Sequence, residues 1–118
     1  MTLIPTKLRE KMIANGKAQD PVRGTPDEID FEPVVKLFTP DAAATWLLTE
    51  LDSEDPDIAF GLCDLGMVSP ELGSVRISEI EEVRGRFGLP VERDRHFTAR
   101  KTLRAYAREA WAAGAIHA

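Results

Sequence analysis

The stretch Ala44–Leu65, ATWLLTELDSEDPDIAFGLCDL, sets two apolar runs on either side of an acidic turn. In the first run Thr45, Leu47 and Thr49 alternate with Trp46, Leu48 and Glu50. A period of two suits a strand with one face on a core. The second run, Asp57–Leu65, has the same character, and Ser53-Glu54-Asp55-Pro56 supplies turn residues between them. The pair is expected to form an antiparallel hairpin, which makes an antiparallel sheet the centre of the fold.

Upstream of the hairpin, PVVKLFTP (Pro33–Pro40) is β-branched and aromatic between two prolines, and reads as another strand. GSVRI (Gly73–Ile77) is a further strand that runs straight into SEIEEV. Ser78 and Glu81 stand three apart before an apolar pair. This spacing predicts a capping box, in which the Ser78 hydroxyl accepts the Glu81 N–H and the Glu81 carboxylate accepts the Ser78 N–H. On that reading Ser78→Ala costs about 1 kcal/mol. Gly85 and Gly88 end the short helix, and Pro90 biases LPVERDRHF toward an extended start.

Thr98 is expected to cap a last helix over 98–113, with Leu103, Tyr106, Ala107, Ala110 and Trp111 on its apolar side. At the other end, Leu3–Ala14 reads as an amphipathic helix through Leu8, Met12 and Ile13, with Pro5 in its first turn. Asn15-Gly16-Lys17 is a stop signal. Residues 19–31 carry Pro21, Gly24 and Pro26 and read as an irregular loop, in which Thr25–Glu28 opens one short turn. The expected fold class is α+β: a single domain over 1–118, with a sheet of three to five antiparallel strands packed by N-terminal, short middle and C-terminal helices.

A chain of 118 residues with 43% hydrophobic and 30% charged residues fits one soluble globular unit. No apolar run exceeds five residues, against the ~20 needed to cross a bilayer, and MTLIPTKLREKM has no signal-peptide pattern. The expected setting is cytoplasmic, away from membrane. Cys63 is the only cysteine, so no intrachain disulfide forms.

The net charge of −5 is unevenly divided. Residues 1–75 hold six basic and fourteen acidic side chains, and residues 76–118 hold nine basic and six acidic. Glu50, Asp52, Glu54, Asp55 and Asp57 cluster about the hairpin turn. Counted from Asp52 they fail the calcium-loop pattern, because Asp57 stands where a glycine is needed and Cys63 where a glutamate is. They read as a charged turn, and as the surface on which a protein partner would be met.

The arginines Arg84, Arg86, Arg93 and Arg95, with Arg100, Arg104 and Arg108 at helical spacing, are the alternative: phosphate contacts for nucleic acid. Glu79, Glu81, Glu82, Glu92 and Asp94 are interleaved with them, a pattern that also suits structural ion pairs. A pair of carboxylates, or Cys63 with His96 as nucleophile and base, would serve a small hydrolase-type enzyme, the remote third reading. One cysteine and two histidines are too few for a zinc site, and Gly85-Arg86-Phe87-Gly88 lacks the Lys-Ser/Thr of a phosphate loop. No catalytic residue, metal ligand or cofactor site is assigned, and the oligomeric state is not fixed by the sequence.

Two blocks, VVKLFTPDAAATWLLTELD (Val34–Asp52) and DIAFGLCDLGMVSPELGSVRISEIEEVRGRFGLPVERDRHF (Asp57–Phe97), resemble the bacterial domain of unknown function 2958. The resemblance spans about Leu3 to Phe97 and is most specific over Glu71–Phe97; it departs at Leu47 and Ser74, where aromatics are more usual. It implies no activity and carries over no catalytic residue. It implies a setting among plasmids, phages and integrative elements. The functional expectation is therefore a non-enzymatic accessory protein of mobile elements or their remnants that binds a macromolecule, first of all a protein, through the acidic hairpin face.

Overall fold

The computed structural model describes residues 3–118. The expected hairpin is present: β2 (Thr45–Leu51) pairs antiparallel with β3 (Ile58–Asp64). Pro33 and Pro40 bracket β1 (Val35–Phe38), which lies on the other side of β2. With β4 (Glu71–Arg76) and the two-residue β5 (Glu92–Arg93), the strands form one sheet in the order β4-β3-β2-β1-β5, antiparallel throughout.

Helices cover both faces. On one, Met12 of α1 (Thr6–Gln19) and Ile77 and Ile80 of α2 (Ile77–Glu82) pack with Trp46, Leu48, Leu51 and Ala59. On the other, Leu103, Tyr106, Ala107 and Ala110 of α3 (Leu103–Ala113) pack on Leu47 and Leu62. Three helices on one five-stranded antiparallel sheet make the α+β fold that the patterning predicts.

The strict alternation expected along β2 breaks at Thr49. The register shifts between Leu48 and Glu50, so Thr49 is an extra residue, a β-bulge. From there each side chain changes face. Leu51 lands with Met12 and Ala59 in the α1 layer, while Glu50 falls opposite Phe60 on the other side.

The bulge also explains why α1 does not stop at Asn15-Gly16-Lys17, as expected, but runs to Gln19. The Asn15 amide donates to the Thr49 carbonyl at 2.9 Å. A Cβ at Gly16 would collide with the Leu51 carbonyl. Residues that locally favour a stop are there because the helix must lie against the strand, and packing outweighs a propensity cost of about 1 kcal/mol for the glycine.

Helix starts depart from expectation in the same way. Ser78 lies inside α2 rather than before it, and its partner is Asp57 in the β2–β3 turn. Asp57 accepts the Ser78 N–H at 2.9 Å and the Ser78 hydroxyl at 2.7 Å, and its own carbonyl accepts the Ile77 N–H at 2.8 Å. The cap thus comes from about twenty residues away instead of from the expected Ser78–Glu81 box. The last helix begins at Leu103, not Thr98. There the Asp30 carboxylate accepts the Arg104 N–H at 3.1 Å and the Phe31 carbonyl accepts that of Leu103 at 2.8 Å. Both helix N-termini are thereby met by an aspartate from a remote loop, which places negative charge at the positive end of each helix.

Candidate functional site

The acidic turn joins β2 to β3, and its carboxylates are largely committed within the fold. Asp52 accepts the N–H groups of Glu54 and Asp55 at 2.8 and 3.0 Å, which shapes the turn. Asp55 and Asp57 flank the Arg76 guanidinium at 3.2 and 3.5 Å. Hydrogen bonds from Ser78, then the neighbouring Arg76, hold the Asp57 carboxyl below its usual range.

Glu50, expected at this surface, is only 3% exposed. The bulge turns it inward, where it accepts from the Thr49 hydroxyl at 3.2 Å and the Arg23 guanidinium at 3.4 Å. Burial raises its pKa, against the opposing pull of Arg23. A small cavity of about 40 Å³ adjoins it, lined by Gln19, Asp30, Phe60 and Leu103 among others. Gln19 closes the same corner by exchanging two hydrogen bonds with the backbone of Ile29, both 2.8 Å. This polar knot fixes the loop after α1 to the sheet. Of the five expected acidic contact residues, Glu54 is exposed, Asp52, Asp55 and Asp57 are half-buried, and Glu50 is buried.

The arginines do not make one stripe. Arg100 precedes α3, leaving Arg104 and Arg108 on it. Arg104 pairs with Glu28 at 2.8 Å, and Arg84 donates back to the carbonyls of Glu81 and Val83. Arg86, Arg93, Arg95, Arg100 and Arg108 make no ion pair among the described residues, and they are spread over the 84–90 loop, the β5 edge and α3.

Cys63 and His96 stay apart. Cys63 on β3 stands across from Trp46, Trp46 from Leu37, and Leu37 from Arg93. Three strand spacings, about 14 Å, therefore separate Cys63 from the β5 segment that leads to His96. Burial, with the nearby Glu71 adding to it, pushes the Cys63 thiol up to about 11. Among the described residues no three His, Cys, Asp or Glu side chains gather as metal ligands would, and no helix is long and apolar enough to cross a membrane.

Gly85–Gly88 meets an anion after all, but an internal one. Asp41, in the turn between β1 and β2, accepts the Phe87 N–H at 2.6 Å and the Leu89 N–H at 3.3 Å. Gly85 is needed because a Cβ there would strike that carboxylate.

The surface that sequence reasoning missed lies at the opposite end of the sheet from the acidic turn. Three connections meet there: Thr39–Ala44, Leu65–Pro70 and the 84–90 loop. Gly66 lies against Ala43, and Asp41 holds Phe87, so the Thr39–Ala44 turn touches both of the others. They display Met67 at 74% exposure, Val68 at 78% and Phe87 at 81%, with Leu65 and Leu89 also exposed. Trp111 of α3 is 54% exposed beside them, its indole N–H donating to the Pro70 carbonyl at 2.8 Å. Val68 has a φ of 63°, a region that a β-branched residue seldom enters. Asp64 secures the base of the loop by accepting the N–H groups of Gly66 and Ile116. The clue in the sequence was a run of apolar residues, Leu65, Met67 and Val68, in a segment too rich in turn residues to be a strand.

A family model described as "Protein of unknown function (DUF2958)" matches residues 3–117. The chain belongs to the DUF2958 family. The match takes in α3, beyond the Phe97 limit of the motif resemblance, so the helix that covers the second face is part of the family's unit. No curated protein and no solved structure matches the chain.

Proposed function

We propose that this DUF2958 protein is a non-enzymatic accessory module that binds another protein, and that it does so with the loop end of its sheet. One observation carries the reading: Met67 and Val68 on the Leu65–Pro70 loop and Phe87 on the 84–90 loop are each about three-quarters exposed or more, and both loops rest on the Thr39–Ala44 turn. Exposed apolar side chains gathered at one end of a fold mark an interaction site, since their exposure to water is unfavourable until a partner covers them. The unusual backbone of Val68 adds support, because strain is retained where function uses it. The acidic end retains a lesser role through Glu54, since its other carboxylates are engaged internally.

The test is affinity capture from the native host with two variants beside the wild type. Met67→Ser with Phe87→Ser is expected to lose the captured protein, and Asp52→Asn with Glu54→Gln to keep it. Capture that survives the first pair and fails with the second returns the contact to the acidic turn. Shift of labelled DNA at low salt, reversed by added salt, would favour the free arginines instead.

A further inference from the structure

β4 is the long edge of the sheet, six residues, whereas the other edge, β5, has two. Its hydrogen-bonding phase follows from its end. The Ile77 N–H donates to the Asp57 carbonyl, so the alternation along an antiparallel pair turns Val75, Gly73 and Glu71 toward β3. Leu72, Ser74 and Arg76 then point their N–H groups outward, and Leu72 and Ser74 their carbonyls as well. None of the Leu72 or Ser74 backbone groups meets a partner outside the sheet among the described residues.

Edges are ordinarily blunted by a proline, a bulge, a lysine or a covering segment. β4 contains no proline and no lysine, and its register with β3 runs unbroken from Glu71 to Arg76. Gly73 has nothing within 4 Å of the place where a Cβ would stand, and its φ is not in the left-handed region, so neither packing nor backbone demands glycine there. The effect is an open slot beside Val75.

We propose that β4 receives an extended peptide of a partner protein as a sixth, antiparallel strand, with basic residues at the N-terminal end of that peptide and bulky apolar ones toward its C-terminal end. The order follows from what flanks β4. Its start adjoins the exposed Met67, Val68 and Trp111; at its end Arg76 is outnumbered by Asp55 and Asp57, which flank it, and by the exposed Glu54 and Glu79. An antiparallel guest enters at the acidic end and leaves at the apolar one. Backbone bonds to Leu72 and Ser74 supply affinity, and the slot at Gly73 takes a large side chain. A second copy of this chain fits less well: pairing β4 with itself about a two-fold axis brings the apolar loop of one copy to the acidic end of the other. The proposal rests on the reading of the loop end as a protein-binding surface, and extends it along the edge.

The test uses a fluorescent peptide, Lys-Arg-Thr-Val-Thr-Phe-Thr-Leu, its reversed sequence, and a form N-methylated at alternate residues, with anisotropy as readout. The forward peptide is expected to bind at least about tenfold more tightly than the reversed one, and N-methylation in the phase facing β4 to abolish binding. On the protein, Ser74→Pro removes an outward N–H without touching the β3 ladder, and is expected to cost about tenfold or more. Equal binding of forward and reversed peptides, undiminished binding of the N-methylated form, or no binding at all overturns the proposal. So does a dimer of the free protein that Ser74→Pro dissociates. A host protein lost by Met67→Ser with Phe87→Ser but kept by Ser74→Pro overturns the strand edge and leaves the loop reading standing. Selective binding of the forward peptide, with the host protein kept by the loop variants, overturns the loop reading alone.

Discussion

Gly16 and Glu50 are two residues whose local chemistry and actual position disagree. Gly16 sits mid-helix because its bare Cα faces the Leu51 carbonyl. Gly16→Ala, a gain in helix propensity, is therefore expected to lower stability by about 2 kcal/mol or more, as overpacking against backbone does. Urea unfolding measures it, and an unchanged midpoint would mean that α1 can move off β2. Glu50 is a carboxyl whose pKa burial raises. The folded state then holds its proton to higher pH than the unfolded chain. Glu50's contribution is thus most favourable below the unfolded glutamate value and declines as pH rises through the folded one. Glu50→Gln is expected to flatten that decline in melting temperature from about pH 4 upward. A decline equally steep in the variant would assign it to another group.

At the scale of elements, α2 and α3 are short helices that start where a loop aspartate meets them. Asp57 binds both the backbone and the hydroxyl of Ser78, while Ser78→Ala leaves the backbone bond in place. Asp57→Ala should therefore lower the melting temperature more than Ser78→Ala, the reverse of the order a local capping box gives. The Asp57 carboxyl is held below its ordinary value, first by Ser78 and then by Arg76. Its contribution is present above the unfolded value and is lost as pH falls through the folded one. In Asp57→Asn the acid side of the stability profile should be shallower, which a series of melts at falling pH will show. The short strands and helices were readable from period and turn residues. Their caps were not, because Asp57 and Asp30 are adjacent to nothing they cap until the sheet has formed.

The whole molecule has two unlike ends. The acidic end was visible as a run of carboxylates, but its charges turn out to hold the turn, Arg76 and α2. The apolar end was invisible as a unit, since its parts lie at Ala43, Met67, Phe87 and Trp111, and only the sheet topology collects them. The same topology separates Cys63 from His96. With its thiol pushed up to about 11, Cys63 is expected to react with iodoacetamide more slowly than a free thiol at neutral pH. Alkylation as fast as that of a free thiol would restore it as a candidate nucleophile.

Family, antiparallel hairpin, α+β class and the proline limits of β1 are all legible in the order of residues, because period, turn chemistry and motif spacing are local properties. The face of Glu50, the length of α1 and the caps of α2 and α3 follow from packing between elements distant in the chain. One inserted residue at Thr49 reverses which side chains reach each layer, and nothing in an alternating pattern marks where the ladder will slip. The bulge is held by the Asn15 amide on the Thr49 carbonyl, and that contact exists only once helix and strand have packed.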